Sequence, residues 1–368
     1  MNNTNWLGII TPEELKALRA AGSGGRVHPV AALALAESDR QVRVNTEMAA
    51  RLIVDKNENW LRSLRRRLLQ VDDFTAASSA LGEIRAHGGL LETWCSVSPT
   101  PTVAGSAVQP EFEVNAGDGP VIVEVHSRQL DGDQVRRLAD HHAHLKTLHA
   151  AEVAKAGSAN GAKNVATFGE IVVFPTGAPV PGKAGDSVLT NTISRIASIK
   201  QNEKQVDPSK PFVLWLDLQD PVVWGIPPAD ELFRPLYSES KDGLVGSGPF
   251  WFALYGRAGD PLLESRGYSY RSTSMLHPGR FFQTIKSHGG PTRLSAVVFS
   301  LPRATILMEN PAAMHPLPEK FRASMLKAPF FRLDLSILEW RTGLVQQNID
   351  IERQIIEAAV TALERFDH

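Results

Sequence analysis

The chain has 368 residues, 43% hydrophobic and 21% charged, with a formal net charge of -1. That length allows two domains or one elaborated core, and the composition excludes disordered, fibrous and solenoid classes. The near-zero charge excludes a globally basic nucleic-acid binder and leaves only a local basic patch, while the single Cys95 excludes an intrachain disulfide framework and a zinc site of several thiolates.

In chain order, Thr11-Pro12-Glu13-Glu14 is a helix start: Thr11 caps, Pro12 suits the first turn and Glu14 completes a capping box. Glu13, Glu14 and Lys16 come too early for a signal peptide, and no run of about 18 apolar residues exists, so a soluble cytoplasmic protein without a membrane span is expected. The helix stops near Gly22. From Thr46 to Gln70 the positions of Met48, Leu52, Trp60, Leu61, Leu64 and Leu68 keep helical spacing. Asp72 or Asp73 caps the next helix, which carries Phe74, Ala77, Leu81 and Ile84 inward and is expected to end at Gly88-Gly89.

Leu90 to Val97, Pro110 to Asn115 and Val121 to His126 then read as three strands, the last two joined by the hairpin turn Ala116-Gly117-Asp118-Gly119. A polar, histidine-rich helix spans Gln134 to Lys155. Glu170 to Pro175 reads as a strand, and Ser187 to Gln205 as a helix. Pro211 to Leu218 is apolar almost throughout, as a strand buried on both faces should be. Leu294 to Leu301 is a further strand, Asn310 to Pro318 an irregular loop, and Val345 to Phe366 a closing helix.

The order helix, three strands, helix, strand matters because of where it puts carboxylates. Side chains alternate along a strand, so Glu111 and Glu113 share a face, as do Glu124 and His126. The short hairpin makes these pairs neighbours, and Glu83, on the preceding helix, leans over the same spot. Three carboxylates there form an oxygen-rich site suited to Mg²⁺ or Mn²⁺. Glu124 stands among Val121, Ile122, Val123 and Val125, and a charge in such a run needs a partner or a metal.

At these residues the sequence resembles the PD-(D/E)XK nuclease superfamily. Pro110-Glu111-Phe112 stands where Pro-Asp-Phe is usual, Glu124-Val125-His126 where Glu-x-Lys is usual, and Ala80-Leu81-Gly82-Glu83-Ile84 is similar to the Glu-bearing helix. The helix ending Lys200 to Gln205, followed by Pro211-Phe212-Val213-Leu214, resembles the second helix and last core strand. The resemblance implies an α/β fold with a restriction-endonuclease-like αβββαβ core at 72–220. A helical region at 1–71 precedes it, and an α+β elaboration at 221–368 packs on it. It also implies a metal-dependent nuclease with Glu83, Glu111 and Glu124 as Mg or Mn ligands, acting on DNA in bacterial defence or repair. His126 departs from the lysine of the pattern. A histidine of ordinary pKa is mostly neutral at pH 7, so it serves as base or ligand, or Lys200 or Lys204 supplies the cation, or activity is lost.

Other groups admit more than one reading. Asp140, His141, His142, His144 and His149 are zinc ligands, a phosphate-facing surface or an exposed helix face. Arg62, Arg65, Arg66 and Arg67 are phosphate contacts, or a solvated face balanced by Asp72 and Asp73. Arg128, Arg136 and Arg137 follow the Glu124 strand and are better placed for a bound strand. Trp215, Trp224, Trp251 and Trp340 read as core residues, and so does Cys95. The function expected is a nuclease. The alternatives are a degenerate core that binds nucleic acid or protein without cutting, and a scaffold whose final third joins a homodimer or partner subunit.

Overall fold

The computed structural model describes residues 5–21, 27–35, 40–71, 74–100, 111–127, 143–151, 153–154, 209–219, 232–233, 248–255, 261–263, 270–272, 281, 293–302, 304–310 and 313–327. The expected strand at 170–175 and the helices at 187–205 and 345–366 lie outside the described residues.

Helix α1 (Pro12–Ala20) begins with the expected capping box. The Glu14 N–H donates to the Thr11 hydroxyl, and the Thr11 N–H donates to the Glu14 carboxylate at 2.9 Å. Helix α2 (Pro29–Leu35) follows. The helical spacing over 46–70 resolves into α3 (Arg40–Ser63) and a short α4 (Arg65–Leu68). Within α3 the backbone breaks at Asn57 (φ −153°, ψ 57°), whose side chain accepts the Trp60 N–H. A short polar side chain that caps the N–H three residues on starts a helix afresh, so a continuous pattern of apolar residues spans a kink.

Helix α5 (Phe74–Glu92) does not end at Gly88-Gly89. At Gly88 a Cβ would lie 2.4 Å from the backbone of Ala49, so this glycine lets α3 approach. The chain leaves the helix at Trp94 instead. That residue takes a left-handed φ of 64° and stands almost fully exposed, and few residues other than glycine adopt this conformation. The first strand accordingly begins later than Leu90.

The strands are β1 (Ser96–Pro99), β2 (Phe112–Asn115), β3 (Pro120–Ser127), β4 (Phe212–Asp217), β5 (Pro261–Leu263), β6 (Tyr270–Ser272), β7 (Leu294–Ser300) and β8 (Thr305–Glu309). Six of them form one mixed sheet in the order β1-β2-β3-β4-β7-β8, while β5 and β6 pair separately. The pairs β1–β2, β2–β3 and β7–β8 are antiparallel; β3–β4 and β4–β7 are parallel. Gly117 and Gly119 supply the positive φ angles of the β2–β3 turn, and Asn115 accepts the Gly117 N–H through its side chain. Every residue of β4 and β7 is buried, as parallel strands covered on both faces require.

Helices cover both faces of this sheet. His87 of α5 and Trp60 of α3 pack against Phe112 of β2, which is opposite Val123. Alternation therefore puts Phe112, Val114, Val121, Val123 and Val125 on the α5 side. On the other side, Phe250 of α6 (Pro249–Tyr255) stacks on Phe299 of β7 at 4.7 Å, and Phe233 meets both rings. Helix α7 (Glu319–Lys327) is tied back to β8 by the two-pronged Arg322–Glu309 ion pair, and its Lys320 N–H donates to Asp118 in the β2–β3 turn. The fold is thus mixed α/β, and the final third of the chain contributes β7 and β8 to the same sheet as the hairpin. Among the described residues no helix is long and apolar enough to cross a membrane.

Candidate functional site

The β2–β3 register pairs Glu113 with Ile122 and Phe112 with Val123, and the same register sets Glu111 opposite Glu124. On β3 the N–H of Ile122 goes to the Pro211 carbonyl on the β4 side. By alternation the Val125 N–H points toward β2, where the strand has not yet begun, and the Glu111 carboxylate accepts it at 2.7 Å. A side chain thus completes the ladder where backbone does not. Burial, the largest cause, pushes the Glu111 carboxyl up to about 8; the Val125 N–H opposes this shift, and the negative charges of Glu83 and Glu124 add to it.

Glu124 is only 6% exposed and lies on the sheet face opposite α5. Its Oε1 is 2.5 Å from His126 Nε2, two residues on along the same face. Glu83, on α5, is 7% exposed. Both its oxygens accept from Arg67 of α4, Oε2 from Nη1 at 2.7 Å and Oε1 from Nη2 at 2.6 Å. The guanidinium also feels Glu111. Glu83 and Glu124 thus both act on Glu111: Arg67 bonds Glu83, His126 bonds Glu124, and Glu111 retains a proton.

This donor set fits a hard divalent cation in kind, since it is all oxygen and carries more acid than base. It is not assembled as a ligand cage. Glu83 approaches from the α5 side and Glu124 sits on the other, with Arg67 and His126 holding their carboxylates. Among the described residues no three His, Cys, Asp or Glu side chains stand as a metal-binding group.

The remaining sequence candidates separate. Glu113 pairs with Lys210 at 2.8 Å on the wet edge. Of the arginine run, Arg62 bonds Glu58, Arg65 bonds Glu14 and the Ile9 carbonyl, Arg67 bonds Glu83, and Arg66 is exposed, while Asp72 and Asp73 lie outside the described residues. His144 and His149 are exposed on a helical stretch. Cys95, Trp215 and Trp251 are buried in the core as expected. Pro110, Arg128, Arg136, Arg137, Asp140, His141, His142, Lys200, Lys204, Trp224 and Trp340 lie outside the described residues.

A second polar cluster, unforeseen from the sequence, joins α3 and α5 to the ends of the parallel strands. Arg85 donates from Nε to Asp217 Oδ1 at 3.0 Å and from Nη2 to Oδ2, with Nη1 at 3.3 Å from the Thr46 hydroxyl. Gln219 links Ser300 to Asn45. The signal was there in outline, because Arg85 and Asp217 each interrupt an apolar run with a charge that burial must pair.

No family model matches the chain, and no curated protein or solved structure matches it either.

Proposed function

We propose that this chain is a metal-dependent nuclease that hydrolyses phosphodiester bonds in DNA on a restriction-endonuclease-like core. The observation that carries the reading is that Glu83 and Glu124 both bear on Glu111, whose buried carboxyl is raised to about 8 chiefly by burial and further by those two acids. The run of α5, the three strands β1 to β3 and the parallel β4 agrees with the resemblance read from residues 72–220. A dication taking the place of the Glu111 proton would relieve the repulsion among these acids.

Glu111 and Glu124 would hold Mg²⁺ or Mn²⁺, with Glu83, which keeps its Arg67 partner, as the third carboxylate. When bound, the ion supplies a nucleophilic water at neutral pH and neutralises charge that builds on the phosphate. His126, a quarter exposed and held at Nε2 by Glu124, would stand beside that water as the polar helper. Arg67 balances the charge of Glu83.

The test is incubation of the full chain with single- and double-stranded DNA and RNA in Mn²⁺, Mg²⁺ or EDTA, beside the Glu124→Ala variant. Metal-dependent cleavage of DNA that the variant lacks supports the reading; equal cleavage by both proteins removes this site from the chemistry. The closed Glu124–His126 contact favours a second reading, a degenerate core that binds nucleic acid without cutting. Salt-dependent binding with no turnover in any metal would select it.

A further inference from the structure

We propose that Arg67 is the phosphate-anchoring residue of this pocket, gripping Glu83 with one edge of its guanidinium and a nucleic-acid phosphodiester with the other; this rests on the nuclease reading. Arg67 spends Nη1 and Nη2 on the two oxygens of Glu83. A guanidinium has five N–H donors, and a bidentate contact uses two. The Arg67 side chain is 38% exposed while the side chain of Glu83 is only 9% exposed, so the acid is inside and the cation faces solvent. Nearby in sequence, Arg62 and Arg65 are held by Glu58 and by Glu14 away from the carboxylates, and Arg66 is exposed. Among the described residues Arg67 is the arginine of this run that bonds a member of the carboxylate cluster.

An acidic pocket repels a polyanion, so a nuclease built on one needs a cation beside the acids to seat the phosphate. Arg67 fills that role because it is planar, permanently charged and matched in shape to phosphate oxygens. Its pairing with Glu83 keeps the guanidinium aimed before substrate arrives.

The experiment measures binding of a fluorescent oligonucleotide duplex across a salt series, in EDTA and again in Ca²⁺, by wild type, Arg67→Gln, Arg67→Lys and Glu83→Gln. Thermal unfolding of each protein runs alongside, together with inorganic phosphate as a second ligand. Arg67→Gln is expected to weaken binding at least tenfold and to flatten the salt slope by about one phosphate contact, roughly 0.9. Arg67→Lys, which keeps the charge and the fold, should fall between. In EDTA, Glu83→Gln should tighten binding several-fold, because it frees the guanidinium and removes a negative charge. A purely structural ion pair predicts that the Arg67 and Glu83 variants lose thermal stability together with duplex affinity unchanged, and that result overturns the inference while leaving the nuclease reading in place. Equal stabilisation of wild type and Arg67→Gln by inorganic phosphate also overturns it. A wild-type chain that binds no duplex in either buffer overturns both.

Discussion

Arg85 and Asp217 are bonded through both carboxylate oxygens between the middle of α5 and the last residue of β4, and neither side chain is exposed by more than 1%. The pair ties the helix that carries Glu83 to the parallel centre of the sheet, and Gly82 makes room for it. At Gly82 a Cβ would stand 1.8 Å from the Ser127 hydroxyl and 3.0 Å from Asp217. A buried ion pair adds little over apolar residues that fit, yet removing one partner strands the other. Asp217→Ala is therefore expected to cost about 3–5 kcal/mol in urea unfolding. The double variant Arg85→Met, Asp217→Leu should lose clearly less than the sum of the singles. Additive losses would mean that the two side chains do not act as a pair.

Close approach of α3 and α5 yields a second test. Gly88→Ala forces a methyl group against the Ala49 backbone, where only 2.4 Å is free, and overpacking of this kind costs about 1–3 kcal/mol. The melting temperature should fall, although alanine is the better helix former. A rise in stability would show that helix propensity outweighs the contact.

These glycines illustrate which parts of the fold could be read in advance. The hairpin at 112–127 was legible because period-two alternation and the glycine-rich turn are local signals, and β4 was legible as an unbroken apolar run. Gly88-Gly89 was not, since a glycine that ends a helix and one that admits a neighbour look alike until the partner, 39 positions earlier, is known. The three carboxylates could be nominated because alternation and the hairpin fixed two of them. Their counter-charges could not, for Arg67 meets Glu83 and Arg85 meets Asp217 only through tertiary packing. Joining β7 and β8 to the sheet is likewise a long-range choice that strand patterns do not encode.

His87 sets the acid limit of stability. Its ring is fully buried between Trp60 and Phe112, at centroid distances of 4.5 and 5.0 Å, and among the described residues neither ring nitrogen has a hydrogen-bond partner. Burial lowers its pKa from 6.5 to about 4. A depressed histidine binds its proton more readily in the unfolded chain, so its contribution is present above pH 6.5 and fades as pH falls toward 4. Between pH 7.5 and 4.5 this amounts to about 2 kcal/mol. His87→Phe should flatten the acid limb of a stability–pH curve relative to wild type. Parallel limbs for the two proteins would rule the residue out as its source.

Glu111 acts in the opposite sense. Its carboxyl is raised from 4.5 to about 8, chiefly by burial, so the folded chain retains a proton that the unfolded chain releases. That stabilisation is complete below pH 4.5 and drains away as pH rises through 8. Glu111→Gln, which keeps the shape and cannot ionise, should match wild type near pH 4.5 and melt higher at pH 9. A dication that binds beside Glu111 displaces the same proton, so Mn²⁺ should raise the wild-type melting temperature more at pH 8.5 than at pH 6, with proton release on binding. In Glu111→Gln both the pH dependence of that shift and the released proton should vanish. If Mn²⁺ instead shifts both proteins equally at both pH values, the ion sits elsewhere and Glu111 only packs against the Val125 N–H.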